Sequence, residues 1–233
     1  VKESDLQFLV AASRRILARE GCESRVAGHV SARAEGADGF WVSPFGYFDE
    51  TTPDMVVKLD LDLNRLEGDW TPSPAVEFHA AIYRARPDVG SVIHTHSHHL
   101  SMFVTRAVPI GMYNVASVLF HDEQVLFDRE DMKDHTMGEG MVRMLGDRHV
   151  LLMKNHGAVV CADTLEHATI EAMMLERCAE YHLAAEQIGG TEFPLDEVLR
   201  GKGRYRELFL PNMWEANFRR LRKSDPDLFE HLD

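Results

Sequence analysis

Helix-like and strand-like segments alternate along this chain of 233 residues, and one α/β domain is the simplest account of that alternation. From Ser4 to Glu20 the apolar residues Leu6, Leu9, Val10, Ile16 and Leu17 share one helical face, with Ser4 and Gln7 as a capping box and Gly21 as a stop. Strand-like pieces follow at Val26–Arg33, Phe40–Ser43 and Val56–Leu61, the last closed by the turn residues Asp62-Leu63-Asn64. Pro72 to Arg86 reads as a loop entering a helix that Pro87 ends. Val89–His96 is a buried strand, in which Val89, Val92 and Ile93 lead into histidines. A helix over His135–Leu145 precedes strands at His149–Met153 and Ala158–Cys161, which flank Lys154-Asn155-His156-Gly157. Thr164 caps a long helix reaching about Ile188, and Gly189-Gly190 ends it. The segment from Glu192 to Asp233 reads as helical and peripheral, with a mobile acidic end. Neither common glycine-rich phosphate loop occurs, nor any repeat or long linker. The expectation is one α/β catalytic domain over residues 1–190 with a helical extension over 191–233.

Composition removes several functions. A formal net charge of −13, with no basic stripe, opposes a phosphate backbone and argues against nucleic-acid binding. No run of about 18 apolar residues is present, so no membrane span is expected. Val1-Lys2-Glu3-Ser4-Asp5 lacks the basic start and apolar stretch of a secretory signal. Cys22, Cys161 and Cys178 are odd in number and scattered, which fits a reducing compartment; a cytoplasmic location is expected.

Among 13 histidines, His94, His96, His98 and His99 fall within six positions. On a strand, positions 94 and 96 point to one face, so their imidazoles can hold one ion from the same side. Two readings are open: a metal site, or a strand end whose histidines hydrogen-bond at the surface. His156, in a tight glycine-containing connection, is either a third ligand or a structural turn residue. His98 and His99, entering the next helix, either back the ligands, face a substrate or sit at the surface.

Six pieces in order carry a family resemblance. They are Gly28-His29-Val30-Ser31, Ser43-Pro44-Phe45-Gly46, Thr52-Pro53-Asp54 with Val56-Val57, His79 with Tyr83-Arg84-Ala85-Arg86-Pro87-Asp88, Val92-Ile93-His94-Thr95-His96-Ser97, and Leu151-Leu152 with Asn155-His156-Gly157 and the helix Leu165 to Ala179. Over residues 5–190 the chain resembles the class II aldolase/adducin family. The resemblance implies a three-layer α/β/α fold around a central, mostly antiparallel sheet, and a divalent metal ion on His94, His96 and His156. It also implies a cyclic homotetramer with active sites at subunit interfaces.

The departures narrow the chemistry. Aldolases of the family carry a glutamate where this chain has Ala75, and Glu77 lies two residues away. Where the family's phosphate loops use small polar residues, this chain has His29, Phe45 and Pro74. These changes argue against a sugar phosphate, and Phe45 offers a ring to stack on a flat substrate. The resemblance therefore implies the branch that decarboxylates hydroxy-aromatic or hydroxypyridine carboxylates, with 3-hydroxy-2-methylpyridine-4,5-dicarboxylate of vitamin B6 degradation as the particular substrate expected. His29, Ser43 and Ser73 are expected to contact the substrate's carboxylates. Ring protonation falls to His98 or a water, with Glu77 the weaker candidate. Three imidazoles plus substrate oxygens and water favour Mn2+, with Zn2+ as the alternative. An aldolase or epimerase using Glu77 as base is the competing function. A dehydratase acting on a thio-sugar phosphate is disfavoured by the altered loops, and a non-catalytic adducin-like module by the retained histidines.

Overall fold

The computed structural model describes residues 3–36, 39–128 and 136–230. Eight strands form one sheet: β1 (His29–Arg33), β2 (Gly39–Val42), β3 (Val57–Asp60), β4 (Arg65–Glu67), β5 (Ser91–Thr95), β6 (Gln124–Phe127), β7 (Val150–Met153) and β8 (Gly157–Ala162). Their order is β4-β3-β2-β1-β5-β8-β7-β6. Every neighbouring pair is antiparallel except β6 with β7.

The central strands are apolar on both faces because both faces are covered. Along β7, Val150 and Leu152 join one core cluster, while Leu151 and Met153 join the other. Helices α1 (Glu3–Arg19) and α5 (Leu165–Ile188) cover the first face. Helices α2 (Glu77–Ala85) and α4 (Met137–Leu145) cover the second, through Phe78, Ile82 and Met141. This is the α/β/α arrangement that the resemblance implies. Thr164 caps α5 by accepting the His167 N–H, and Gly189 ends it at φ 72°. The proposed Ser4 cap and His135 lie outside the residues whose side chains are described.

Three expectations need correction. Strands β4 and β6 were not anticipated; both are edge strands, and all three β4 residues are exposed, so no buried alternation marks it. The C-terminal segment is helical, with α6 (Leu195–Arg204), a π-helical turn over Tyr205–Phe209, α7 (Leu210–Ser224) and α8 (Pro226–Phe229), but it is not peripheral. Leu210, Leu221 and Leu228 are fully buried in the core cluster that includes α1, each contributing about 1.5–3 kcal/mol. Phe8 of α1 packs edge-on against Phe218 and Phe229, and Arg15 pairs with Asp225 and Asp227. Among the described residues, no helix is long and apolar enough to cross a membrane.

Candidate metal centre and active site

Strand β5 ends in the histidines, and its neighbours set their directions. His94 has the parity of Val92 and so faces the α2 side of the sheet, where its ring meets Phe78 edge-on. Its direct partner across β1 is His29, and across β8 it is Val159. His156 comes from the β7–β8 turn, in which Asn155 adopts φ 55°, a conformation asparagine tolerates. Gly157 then passes so close to β5 that a Cβ would lie 2.2 Å from the Thr95 carbonyl oxygen. That close approach brings the His156 ring to 4.6 Å from His96 and 5.2 Å from His94, centroid to centroid.

One ring nitrogen from each of His94, His96 and His156 lies within 4.8 Å of the others, the sole such group of potential ligands among the described residues. His94 Nδ1 donates to the Ala158 carbonyl at 2.8 Å, which leaves the Nε2 lone pair free. That Nε2 is 2.8 Å from His96 Nε2. Burial holds His94 well below its ordinary pKa and lowers His96 to about 4, with neighbouring imidazoles adding to both shifts. The His94 and His96 rings are therefore neutral and competent to bind a cation. Convergent imidazoles, one with its tautomer fixed from behind, are a donor set that fits a divalent transition ion.

His29 is fully buried beside this group, its ring centroid 5.0 Å from that of His94. His29 Nδ1 is 2.6 Å from His79 Nε2, His79 Nδ1 is 2.6 Å from Ser31 Oγ, and Ser31 Oγ is 2.7 Å from the Tyr83 hydroxyl. His29 Nε2 has no protein partner although it is buried. A buried, unpartnered ring nitrogen beside the histidine cluster fits contact with a substrate oxygen.

The other expected residues divide. Ser43 and Ser73 are buried and each accepts a backbone N–H: Ser43 Oγ from Val30 of β1 at 3.1 Å and Ser73 Oγ from Ala75 at 3.3 Å. Each hydroxyl keeps its own hydrogen for another acceptor. His98 is exposed and lines a cavity of about 520 Å³ together with His96. Glu77 does not belong to the site. Helix α2 buries His79 toward the histidines, so a residue two positions earlier lies about 200° around the axis. Glu77 is exposed there and opens onto a different cavity with Asp62, Arg84 and Glu139.

Three residues escaped sequence reasoning. Ser97 Oγ is buried without a partner next to His96. Glu176 of α5 accepts the His99 N–H, the His99 Nδ1–H and the Leu100 N–H at 2.8–2.9 Å, tying α5 to the start of α3 (His98–Phe103). Arg14 is completely buried, donates to the carbonyls of Pro44 and Gly46, and lies over the Phe48 ring. Burial lowers its guanidinium to about 9 against the pull of Glu50 and Asp49. No spacing rule links these long-range pairs; only the packed fold does.

The family described as Class II Aldolase and Adducin N-terminal domain matches residues 8–183, and the chain belongs to it. A Streptomyces roseochromogenus subsp. oscitans protein, 4-hydroxy-3-prenylphenylpyruvate oxygenase/4-hydroxy-3-prenylbenzoate synthase, is 32% identical over 85% of this chain and 74% of its own. Decarboxylase NovR of Streptomyces niveus is 32% identical over 85% of this chain and 76% of its own. In fold, the chain is similar to L-fuculose 1-phosphate aldolase from Glaciozyma antarctica, with a TM-score of 0.84, 22% identity, and coverage of 95% and 91% of the two chains. The names of these relatives thus cover more than one activity, a decarboxylase among them.

Proposed function

We propose that this chain is a metal-dependent decarboxylase of a hydroxy-aromatic or hydroxypyridine carboxylate. The observation that carries the reading is that the convergent ligand group, among the described residues, consists of three histidines and includes no carboxylate. Ala75 stands where the family's aldolases place their acid–base glutamate, and Glu77 faces away. Aldol cleavage needs that base for proton transfer at oxygen and carbon. Decarboxylation needs an electron sink, a grip on the carboxylate and one proton at the ring carbon, with carbon dioxide leaving.

His94, His96 and His156 would hold the ion, which when bound supplies a Lewis acid to the substrate's hydroxyl and carboxylate oxygens. Mn2+ is favoured and Zn2+ is the alternative. His29 and the hydroxyls of Ser43 and Ser73 contact substrate oxygens. Phe45, 46% exposed, offers its face to a flat ring. His98 borders the cavity from which a proton can arrive. The similarity to NovR supports the reaction class. We take 3-hydroxy-2-methylpyridine-4,5-dicarboxylate as the first substrate to try. The catalytic unit spans 1–190 with 191–233 as its helical extension, assembled as a homotetramer. The buried, unpaired Cys22, Cys161 and Cys178 fit a cytoplasmic setting.

The test is metal analysis of the purified protein, then carbon dioxide release from ortho-hydroxy aromatic and pyridine carboxylates, with and without chelator. Chelator-sensitive release from one acid is the expected result. Because one relative is an oxygenase by name, the assay is run with and without dioxygen; a strict dioxygen requirement would replace simple by oxidative decarboxylation. Bound metal with retro-aldol cleavage of a sugar phosphate, and no carbon dioxide, would overturn the reading in favour of an aldolase.

A further inference from the structure

The turn that precedes β1 carries a backbone anomaly at the edge of the histidine group. Ala27 N–H closes a turn onto the Ser24 carbonyl at 3.1 Å, with Arg25 at its first central position and φ 55° there. Glycine or asparagine adopts that left-handed conformation at little cost, whereas arginine is strained in it. Arg25 is exposed there. Strain of this kind clusters at functional sites; Leu63, Ala107, Asp122 and Asn155 share the left-handed region, and what sets Arg25 apart is its place beside the histidine group.

The turn is also fixed rigidly to the centre. Ser24 Oγ accepts the backbone N–H of His96 at 2.5 Å. A Cβ on Gly28 would lie 2.6 Å from the Ser24 side chain and 2.7 Å from Phe48, so the segment has no slack on that side either. Arg25 is therefore one residue from a direct tie to a histidine of the cluster. It lines the 520 Å³ cavity with His96, His98, Glu23 and Ser24. Among the described residues lining that cavity, Arg25 supplies the permanent positive charge and Glu23 the one carboxylate.

We infer that Arg25 is a specificity-determining residue that pairs with a second carboxylate of the substrate, the one that does not engage the centre. A guanidinium presents paired N–H donors that match a carboxylate, and in a chain of net charge −13 such a cation at the cavity is a deliberate attraction for a dianion. This inference rests on the proposed reading of the site and adds the residue that selects the acid: Arg25 makes an aromatic dicarboxylate preferred over a monocarboxylate.

The test uses the full-length, metal-loaded protein and Arg25→Asn, which suits the left-handed turn. Calorimetric titration with phthalate, a dicarboxylate without the reactive hydroxyl, is compared with benzoate. Arg25→Asn is expected to keep its metal content and to melt no lower than the parent. It should bind phthalate at least about tenfold more weakly, the loss expected for one charge-assisted pair, and benzoate within about twofold. Arg25→Lys should recover only part of the phthalate affinity. Unchanged phthalate binding in Arg25→Asn, absent phthalate binding by the parent, or a lowered melting temperature would each overturn the inference. Arg25-dependent phthalate binding in a protein that releases no carbon dioxide from any hydroxylated acid would leave the inference standing and remove the decarboxylase reading instead.

Discussion

At His94 one nitrogen gives its hydrogen to Ala158 and the other turns toward His96, so a single backbone carbonyl decides which lone pair is available. The histidine pair and its shared face were legible from the spacing of two on an apolar strand. The partnership of His29 with His79 was not, because it depends on the β1–β5 register and on α2 packing over it. Two outcomes belong at this scale. His156→Ala should lower bound metal below about a tenth of the parent's and the proposed decarboxylation at least about a hundredfold; metal analysis and carbon dioxide release measure both. His156 is only half-buried, so the metal-free variant should melt close to the metal-free parent. Tyr83→Phe, by contrast, deletes a fully buried hydroxyl that bonds Ser31. It should cost about 1 kcal/mol in denaturant unfolding while metal content is unchanged.

At the scale of elements, the β7–β8 turn matters more than its length implies. The sequence marked Asn155-His156-Gly157 as a tight connection, and its neighbours as short strands. It did not mark Gly157 as the place where β8 grazes β5, since a glycine in a turn is expected for conformational reasons alone. Here the constraint is steric: the obstructing atom is the Thr95 backbone oxygen, which cannot swing aside like a side-chain tip. Gly157→Ala should therefore push the turn away from β5, destabilise the fold by about 1–3 kcal/mol and weaken metal binding together. A control is Gly146→Ala, where φ is 53° but no atom lies within 4 Å of the added carbon; it should destabilise through backbone strain and leave metal affinity intact. Equal metal affinity in both variants would show that the β5–β8 approach does not position His156. The edge strands β4 and β6 were illegible for a different reason. All of β4 is exposed, so burial writes no period into it, whereas β6 does alternate, with Val125 and Phe127 buried, but over only four residues.

Across the whole molecule, the C-terminal helices are bound to the sheet by buried charge as well as by apolar packing. Arg206, in the π-helical turn, donates to Glu171 of α5 at 2.6 Å and approaches Asp163 at 3.4 Å. Lys202 reaches Glu123, which also faces His149, beside sheet-edge strand β6. Burial pushes the Glu171 carboxyl up from 4.5 to about 7, with Arg206 pulling the other way. A carboxyl whose pKa is raised by folding binds its proton more tightly folded than unfolded. Its contribution is complete below about 4.5, and is lost as pH rises toward 7. Glu171→Gln removes that dependence. Relative to the parent, the variant should gain stability as pH rises across that interval, by at most about 1.4 kcal/mol per pH unit, and should show no further relative change above it. Denaturant unfolding of both proteins at pH 4.5, 6 and 8 reads the difference directly. A flat difference, or one that runs the other way, would mean that Arg206 keeps Glu171 ionised throughout. The clamp between α5 and the C-terminal helices would then be an ion pair at every pH, and burial would not govern how firmly that segment is held.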